Sequence, residues 1–172
     1  MKSFLKPESV LKKLKLKSDM RAADFGSGSG GWVIPLAKIL EDGKVFAIDI
    51  LEEPLSALKS KLKSTNIDNI ETIQSSVEIL NGSKLFPESC DLILMTNLLF
   101  QTEDKEVVLG EGERVLNSGG KILVIDWKEN VALGPKERIS AKEVIKIVEK
   151  IGMKVEKEFE ASPCHWGLIL IK

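Results

Sequence analysis

The sequence predicts an α/β fold in which helices cover both faces of a mostly parallel β-sheet. Three short segments are almost wholly apolar, as parallel strands buried on both faces are: Lys44 to Ile50, Cys90 to Asn97 and Lys121 to Asp126. Helix-forming segments alternate with them along the chain, which is the order typical of an α/β protein. The 172 residues are enough for one domain with a buried core.

The first predicted element is a helix over Pro7 to Leu16 with one apolar face. Its apolar residues are Val10, Leu11 and Leu14, and its other side carries Lys12, Lys13, Lys15 and Lys17. Charged faces usually serve solubility. We therefore favour a solvated helix face that covers a sheet edge over a contact with RNA or another anionic substrate.

A glycine-rich loop follows the first predicted strand, Arg21 to Phe25. Glycines there let the backbone turn tightly and leave bare main chain against which a ligand can lie. The loop leads into a predicted helix, Trp32 to Leu40, whose first turn accommodates Pro35 because no N–H is needed there. The second strand, Lys44 to Ile50, follows an Asp-Gly turn.

The middle of the chain continues the alternation of helices and strands. Helices are predicted at Pro54 to Leu62 and at Glu103 to Leu116. Between them, strands are predicted at Ile70 to Gln74 and at Cys90 to Asn97. Residues 117–120, Asn-Ser-Gly-Gly, are predicted to turn the chain into the next strand, Lys121 to Asp126.

The last predicted elements decide the topology of the sheet. Ser140 begins a capping box for a helix that runs to Ile151, and Gly152 is a natural stop. Met153 to Phe159 alternates apolar and charged residues and belongs at an edge, whereas Leu168 to Ile171 is wholly apolar. Because only a short loop separates these two strands, they pair antiparallel, and the more buried one inserts inside the edge strand.

The glycine loop fits two cofactors. Its spacing matches the dinucleotide fingerprint G-x-G-x-x-G, and Asp49 follows at about the distance expected for a ribose contact. The same loop also reads D-x-G-x-G-x-G, beginning at Asp24. A carboxylate there would repel a pyrophosphate but attract a cationic amine or sulfonium. Asp24 therefore favours S-adenosylmethionine over a nicotinamide dinucleotide.

With this loop the sequence resembles the class I S-adenosylmethionine-dependent methyltransferases. Residues 114–127, RVLNSGGKILVIDW, also resemble that family's double-glycine turn and fifth strand. The resemblance implies a three-layer, Rossmann-like, seven-stranded sheet in the order 3-2-1-4-5-7-6, with strand 7 antiparallel. It also implies S-adenosyl-L-methionine as cofactor and S-adenosyl-L-homocysteine as product. We expect a single domain over residues 1–172, with a helical segment at 1–17.

Ligands of such sheets bind beyond the carboxyl ends of the strands, near the switch in strand order. This rule gives the predicted cofactor-binding residues, which are Asp24, Gly26, Ser27, Gly28, Gly30, Asp49, Ile50, Ser76, Val77 and Asn97. The resemblance implies that the glycines face the methionine end of the cofactor and that Ile50 flanks the adenine. The carboxylate of Asp49 can accept hydrogen bonds from both ribose hydroxyls.

Ser76 departs from the family pattern, which has an acidic residue for the adenine amino group at that place. A hydroxyl can accept this bond only more weakly. The adenine contact is therefore assigned to Ser76 or to Glu78, and this choice stays open. The end of the fifth strand adds Asp126 and Trp127 to the predicted rim of the site.

The catalytic group is not determined by the chemistry, because methyl transfer needs positioning above all and a base only for some nucleophiles. The loop Ala161 to Trp166 is predicted on the cofactor side of the sheet, and it contains the chain's only histidine. His165 is therefore the candidate for a base or a substrate contact, although the alternative of a structural or exposed histidine is favoured, and the catalytic residue stays unknown. Cys90 and Cys164 lack metal-ligand spacing, so no metal site is predicted.

Composition restricts the partners and the location. A net charge of −1 gives no bulk attraction to nucleic acid, and no apolar run is long enough to cross a bilayer. The first residues do not form a signal peptide, so a cytoplasmic location is expected. The segments between strands are too short for a lid. The cover is then a large acceptor, a second subunit of a homodimer, or the N-terminal helix.

The leading functional hypothesis is methyl transfer from S-adenosylmethionine to an unidentified acceptor, small molecule or macromolecule. One alternative is an NAD(P)-dependent Rossmann oxidoreductase, which Asp24 and the terminal strand pair disfavour. Another alternative is a non-catalytic S-adenosylmethionine-binding partner subunit that kept the fold and lost the chemistry.

Overall fold

The structure, a computed structural model, describes residues 5–172. Its strands are β1 (Arg21–Phe25), β2 (Lys44–Asp49), β3 (Ile70–Gln74), β4 (Cys90–Thr96), β5 (Leu116–Trp127), β6 (Lys154–Ser162) and β7 (His165–Ile171). Its helices are α1 (Pro7–Leu11), α2 (Val33–Ile39), α3 (Glu52–Leu62), α4 (Lys105–Val115) and α5 (Ala141–Lys150), with a 3₁₀ turn at Leu99–Gln101.

All seven strands form one sheet in the order β3-β2-β1-β4-β5-β7-β6. Strands β1 to β5 pair in parallel, and β7 pairs antiparallel with both β5 and β6. The predicted topology is thus confirmed. After β3 at one edge, the chain crosses to β4 beside β1, so the carboxyl ends of β1 and β4 border the crevice where ligands of such sheets bind.

Strand β7 is longer than the sequence predicted, because it begins at His165 rather than at Leu168. A turn of two residues, 163–164, connects it to β6, and His165 already lies opposite Trp127 of β5. The histidine predicted in a loop is therefore part of the sheet.

Strand β5 also begins earlier than predicted, at Leu116, and the turn expected at residues 117–120 lies inside it as an irregular stretch. Gly119 has a left-handed φ of +76°, and the pairing with β4 passes from Cys90–Leu116 directly to Leu92–Lys121. The N–H of Gly119 donates to the carbonyl of Lys172 (3.2 Å), and the N–H of Lys172 donates to the carbonyl of Gly120 (3.0 Å). Lys172 thus pairs with both glycines and holds the turn as a bulge within β5, which the local sequence does not reveal.

Helix α1 ends at Leu11 instead of Leu16. The chain continues in tight turns, in which the N–H groups of Lys13 and Leu14 donate to carbonyls three residues earlier. Leu14 nevertheless remains buried with Val10 and Leu11 against α2, as the apolar pattern predicted. Because α1 packs on α2 and none of its residues lines the candidate cofactor cavity described below, the idea of an N-terminal helix as its cover is wrong for the described residues.

The core has two halves, one on each face of the sheet. Side chains of α4 and α5 pack on one face, and side chains of α1, α2 and α3 pack on the other. This arrangement is the predicted three-layer fold. The helix α5 begins with the predicted capping box, in which Ser140 and Glu143 satisfy each other's backbone N–H groups.

A buried ion pair fixes the long loop between β3 and β4. Glu111 of α4 accepts hydrogen bonds from the Ser83 N–H (3.0 Å) and from Arg114 (2.7 and 2.8 Å). Arg114 also donates to the Leu85 carbonyl at 2.9 Å. Burial alone would raise the pKa of Glu111, but these hydrogen bonds outweigh burial and lower its pKa.

We predict that Glu111→Ala lowers the free energy of unfolding by about 3 kcal/mol, because it leaves Arg114 and Ser83 without their partner. A carboxyl whose folded pKa is lowered stabilises the fold above its unfolded pKa and loses that contribution as the pH falls. Urea unfolding at pH 7 and pH 4 should therefore show a smaller difference between variant and wild type at pH 4. Glu106→Ala, an exposed change on the same helix, is the control, and equal losses in both variants would contradict the assignment.

Candidate functional site

The glycine loop after β1 is attached to β2 by its own backbone. The N–H groups of Gly26 and Ser27 both donate to the Ile48 carbonyl, at 2.8 and 2.9 Å. The Gly28 N–H donates to the Asp49 carboxylate at 2.8 Å. These three bonds hold the loop open beside the end of β2, with Asp49 half-buried beneath it.

Two glycines of the loop are required for different reasons. Gly30 has a φ of +89°, and a Cβ there would lie 2.5 Å from Leu58 of α3, so this glycine allows α3 to pack closely. Gly28 has a φ of +53°, but a Cβ there would meet nothing within 4 Å. The space above Gly28 is open, as expected where a ligand lies against the main chain.

A cavity of about 240 Å³ opens between the ends of β2, β3 and β4. Five of the predicted cofactor residues line it: Gly26, Asp49, Ile50, Ser76 and Val77. Its walls also include residues that the sequence did not single out, among them Ile48, Leu51, Pro54 and Thr102. Leu51 and Pro54 directly follow Asp49 and Ile50, so extending the strand-end rule by a few residues would have found them.

The other predicted residues, Asp24, Ser27, Gly28, Gly30 and Asn97, do not line this cavity. Three of them carry buried side-chain oxygens without any hydrogen-bond partner, namely Oδ1 of Asp24, Oγ of Ser27 and Oδ1 of Asn97. Buried polar atoms are normally paired, so unpaired ones at the end of β1 and just after β4 indicate a place for a polar ligand. The structure thus separates the predicted set into a cavity and an adjoining polar region.

Asp24 is 1% exposed, and its charge is unfavourable where it lies. Burial raises its pKa well above the ordinary value, and the nearby Asp49 carboxylate raises it further. A cationic group placed beside these two acids would relieve both effects. Residues of this kind fit the amino and sulfonium groups of S-adenosylmethionine, and a pyrophosphate would be repelled.

Both candidates for the adenine contact line the cavity, and both already make local bonds. The Ser76 hydroxyl accepts from the Glu78 N–H at 3.2 Å, and the Glu78 carboxylate accepts from the Glu103 N–H at 2.9 Å. Each acceptor has lone pairs to spare. The choice between Ser76 and Glu78 stays open.

His165 lies at the carboxyl end of β5, on the predicted side of the sheet, but it is only 6% exposed. Its Nδ1 shares a hydrogen bond of 2.8 Å with Ser162, its ring lies 4.1 Å from the Trp127 ring, and its Nε2 has no partner. Burial lowers the pKa of His165, and the charge of Lys128 lowers it further. The histidine is neutral at pH 7, and its role stays a prediction.

The loop after β5 is organised by one arginine. The Arg138 guanidinium donates to the backbone carbonyls of Lys128, Glu129, Val131, Leu133 and Pro135. Trp166 donates from its indole N–H to the carbonyls of Trp127 and Ile139, at 3.1 and 3.0 Å. Trp166 also lines a second cavity, of about 370 Å³, between this loop and α5.

Residues 5–172 contain neither a candidate metal-binding cluster nor a helix suited to span a membrane. No three His, Cys, Asp or Glu side chains of that range come together in a group that could hold a metal ion. No helix within that range has the length and apolar character needed to cross a membrane.

The fold and the pocket at its switch point define a nucleoside-binding α/β domain of the Rossmann-like type. Comparison with protein-family models gives a match to the family described as "Methyltransferase domain", over residues 16–165. The chain therefore belongs to the methyltransferase-domain family, within the class I S-adenosylmethionine-dependent methyltransferase superfamily. The cofactor of this class is S-adenosylmethionine, and the oxidoreductase alternative is wrong.

Solved structures agree with this assignment. An S-adenosylmethionine-dependent methyltransferase from Aquifex aeolicus superposes with a TM-score of 0.88 at 30% identity, over 97% of this chain and 89% of that one. A methyltransferase from Methanosarcina mazei superposes with a TM-score of 0.77 over 100% of this chain and 99% of that one; at 17% identity it supports the fold alone.

Among curated proteins, the chain is 24% identical to a demethylmenaquinone methyltransferase of Oceanobacillus iheyensis, over 88% of this chain and 64% of that protein. It is 27% identical to a ubiquinone/menaquinone biosynthesis C-methyltransferase of Shewanella frigidimarina, over 83% of this chain and 56% of that protein. The chain thus spans less than two thirds of the length of these curated relatives.

We predict that alanine at the two glycines separates folding from binding. Gly30→Ala should lower the free energy of unfolding by about 3 kcal/mol, because it adds a clash to a left-handed backbone. Gly28→Ala should cost only about 1 kcal/mol but weaken S-adenosylmethionine binding roughly tenfold, about 1.4 kcal/mol. Denaturant unfolding and calorimetry measure both quantities.

Gly31→Ala is the matched control, because Gly31 has neither a left-handed φ nor any atom within 4 Å of a built Cβ. Its stability should stay within about 0.5 kcal/mol of wild type. A stability loss in Gly28→Ala as large as that in Gly30→Ala would show that the space above Gly28 is not open.

We further predict that Asp24→Asn stabilises the protein without cofactor and weakens cofactor binding. A raised folded pKa means that the stabilising contribution of Asp24 is complete at low pH and is lost as the pH rises. The stability of the variant relative to wild type should therefore increase from pH 5 to pH 8. Affinity for S-adenosylmethionine should fall roughly 10- to 100-fold, as for a hydrogen bond to a charged group.

Thermal unfolding at several pH values and titration calorimetry check the Asp24 prediction. The exposed change Asp68→Asn serves as control for the loss of one negative charge. A variant at Asp24 that binds the cofactor as tightly as wild type would remove this residue from the site.

Proposed function

We propose that this chain catalyses transfer of a methyl group from S-adenosylmethionine to an acceptor bound beside the ends of β4 and β5. The observation that carries the proposal is the group of unpaired buried oxygens at Asp24, Ser27 and Asn97. They lie next to a cavity that Asp49 lines. Family membership supports the same cofactor.

In this proposal, different residues of the chain bind different parts of the cofactor. Asp24 would hold the ammonium group, and the open main chain at Gly28 would lie along the methionine end. Asp49 keeps lone pairs for ribose hydroxyls beside its two backbone contacts, and Ile50, which is 60% exposed, would cover the adenine. The bound cofactor supplies an electrophilic methyl group on a cationic sulfur.

The acceptor we propose is an unsubstituted ring carbon of a hydroquinone, the electron-rich reduced form of a quinone. This carbon forms the new bond to the methyl group as the bond from that methyl to sulfur breaks, and it then loses its ring proton. The names of the relatives, demethylmenaquinone and ubiquinone/menaquinone C-methyltransferases, support this class of acceptor. A neutral His165 near the end of β5 would then act as the base or as a contact for the acceptor. Turnover that is unchanged in His165→Ala would contradict this role. A homodimer or the acceptor itself would cover the site, and a cytoplasmic location stays a prediction.

The alternative of a non-catalytic binding subunit is tested by turnover. We predict that the purified chain converts S-adenosylmethionine to S-adenosylhomocysteine in the presence of a demethylated quinone with a short, soluble side chain, kept in its hydroquinone form by an added reductant. The assay measures S-adenosylhomocysteine, with NAD as the negative control for binding and arsenite and small phenols as other acceptors. Tight binding without turnover on any acceptor would favour the non-catalytic subunit, and no binding of either cofactor form would contradict the whole proposal.

A further inference from the structure

Asp126 is a fully buried carboxylate at the end of β5. Strand β4 alone separates β5 from β1, whose end carries Asp24. One of its oxygens accepts from the N–H of Phe100 at 3.1 Å, and the other accepts from the N–H of Trp127 at 2.8 Å. Neither contact belongs to the ladder of the sheet. The first of them joins β5 to the 3₁₀ turn that follows β4.

The turn held in this way forms a wall of the cofactor cavity. Leu98, Gln101 and Thr102 all line the cavity. Gln101 donates from its amide to the Asn97 carbonyl at 3.0 Å, and the Asn97 N–H donates to the Ile125 carbonyl at 2.8 Å. Strand β5 therefore fixes this segment at two points, Ile125 at its start and Asp126 in its middle.

Asn97 makes the segment sensitive to its supports. Its φ of +51° is a left-handed conformation that an asparagine tolerates but does not strongly prefer. Its side-chain Oδ1 is one of the buried atoms without a partner. A loss of the contact at Asp126 would therefore release both the cavity wall and the unpaired amide oxygen.

We propose that Asp126 is a positioning residue for the cofactor: its ionised carboxylate holds the segment Asn97–Thr102 in place through the Phe100 N–H, and cofactor binding requires that ionised form. The inference rests on the proposed function, since it concerns the same cavity. It assigns to Asp126 no contact with the cofactor or the acceptor.

The titration of Asp126 supports this role. Burial raises the pKa of Asp126 to about 6, against the effect of the backbone N–H groups and of the Lys105 ammonium. Lys105 faces it from the start of α4, where its Nζ donates to the Thr102 carbonyl at 2.7 Å. From the neighbouring strands, Asn97 follows β4 and Trp166 of β7 lies opposite Asp126, and neither residue carries a charge.

Protonation changes what the carboxyl group can do. Each oxygen now accepts one N–H, so a proton on either oxygen removes its charge and one of its acceptor positions and weakens the contact made there. The raised pKa also means that the group stabilises the fold only at low pH and loses this contribution as the pH rises through about 6. The ionised form of Asp126 thus lowers the free energy of unfolding but holds the segment Asn97–Thr102 in position.

The first test measures binding of S-adenosylhomocysteine to the full chain by calorimetry between pH 5 and pH 8. The requirement for an ionised group with a pKa of about 6 should by itself weaken binding roughly tenfold from pH 8 to pH 5. Asp126→Asn should bind at pH 8 at least as weakly as wild type at pH 5 and should lose the step near pH 6, so that any remaining pH dependence belongs to Asp24. Asp24→Asn should keep the step, which separates the titration of Asp126 from that of Asp24.

The second test does not need the cofactor. In the ligand-free wild type, the Phe100 backbone amide should titrate by NMR with an apparent pKa near 6, and Asp126→Asn should abolish the titration. Gln101→Ala, which removes the bond to Asn97 and leaves Asp126 intact, should weaken binding but retain the pH step. If Asp126→Asn does not fold, the pH dependence of binding in Gln101→Ala still tests the proposal.

The outcomes distinguish the two proposals. If no S-adenosylhomocysteine binds at any pH while the Phe100 amide titrates as expected, the proposed function fails and the contact stands. If binding is tight at pH 8, but the Phe100 amide does not titrate or Asp126→Asn binds like wild type, the role of Asp126 is overturned.

Discussion

The site depends on one constraint: a carboxylate, Asp24, is buried at the end of a central strand without a full set of partners. Burying a charge in this way costs free energy unless an opposite charge compensates it. Asp49 lies close enough for its charge to act on Asp24 and makes the cost larger. Two acids under one glycine loop are unfavourable in the isolated protein, and they become favourable when a cation lies between them. The arrangement selects a cationic nucleoside over a pyrophosphate.

The rest of the fold serves to keep this arrangement in place. Strand β2 holds the glycine loop through the Ile48 carbonyl and the Asp49 carboxylate, so the same acid that raises the pKa of Asp24 also fixes the loop above it. Strand β5 holds the other wall through Ile125 and Asp126. The inserted strand β7 in turn pairs with β5 along its apolar length and leaves no exposed edge beside the site. Binding is thus supported from the interior of the sheet.

Patterns within a few residues predicted most of the fold. β1 and β3 have the predicted ends, and β7 was placed inside the edge strand because Leu168 to Ile171 is wholly apolar. The sequence predicted a turn at residues 117–120 but not its place within β5, because its pairing partner, Lys172, lies far away in the sequence. The same reason applies to the site. Residue types located the two acids and the glycines, but bonds such as that from Phe100 to Asp126 depend on a 3₁₀ turn that no pattern in the sequence indicates.

The most direct test of the central claim is the number of protons exchanged when S-adenosylmethionine binds. Calorimetric titrations at pH 6.5 in two buffers of different ionisation enthalpy give this number. If the cation of the cofactor lies beside Asp24, binding lowers the pKa of that carboxyl, and protons are released by wild type in excess of those released by Asp24→Asn. Equal proton release by the two proteins would contradict the account.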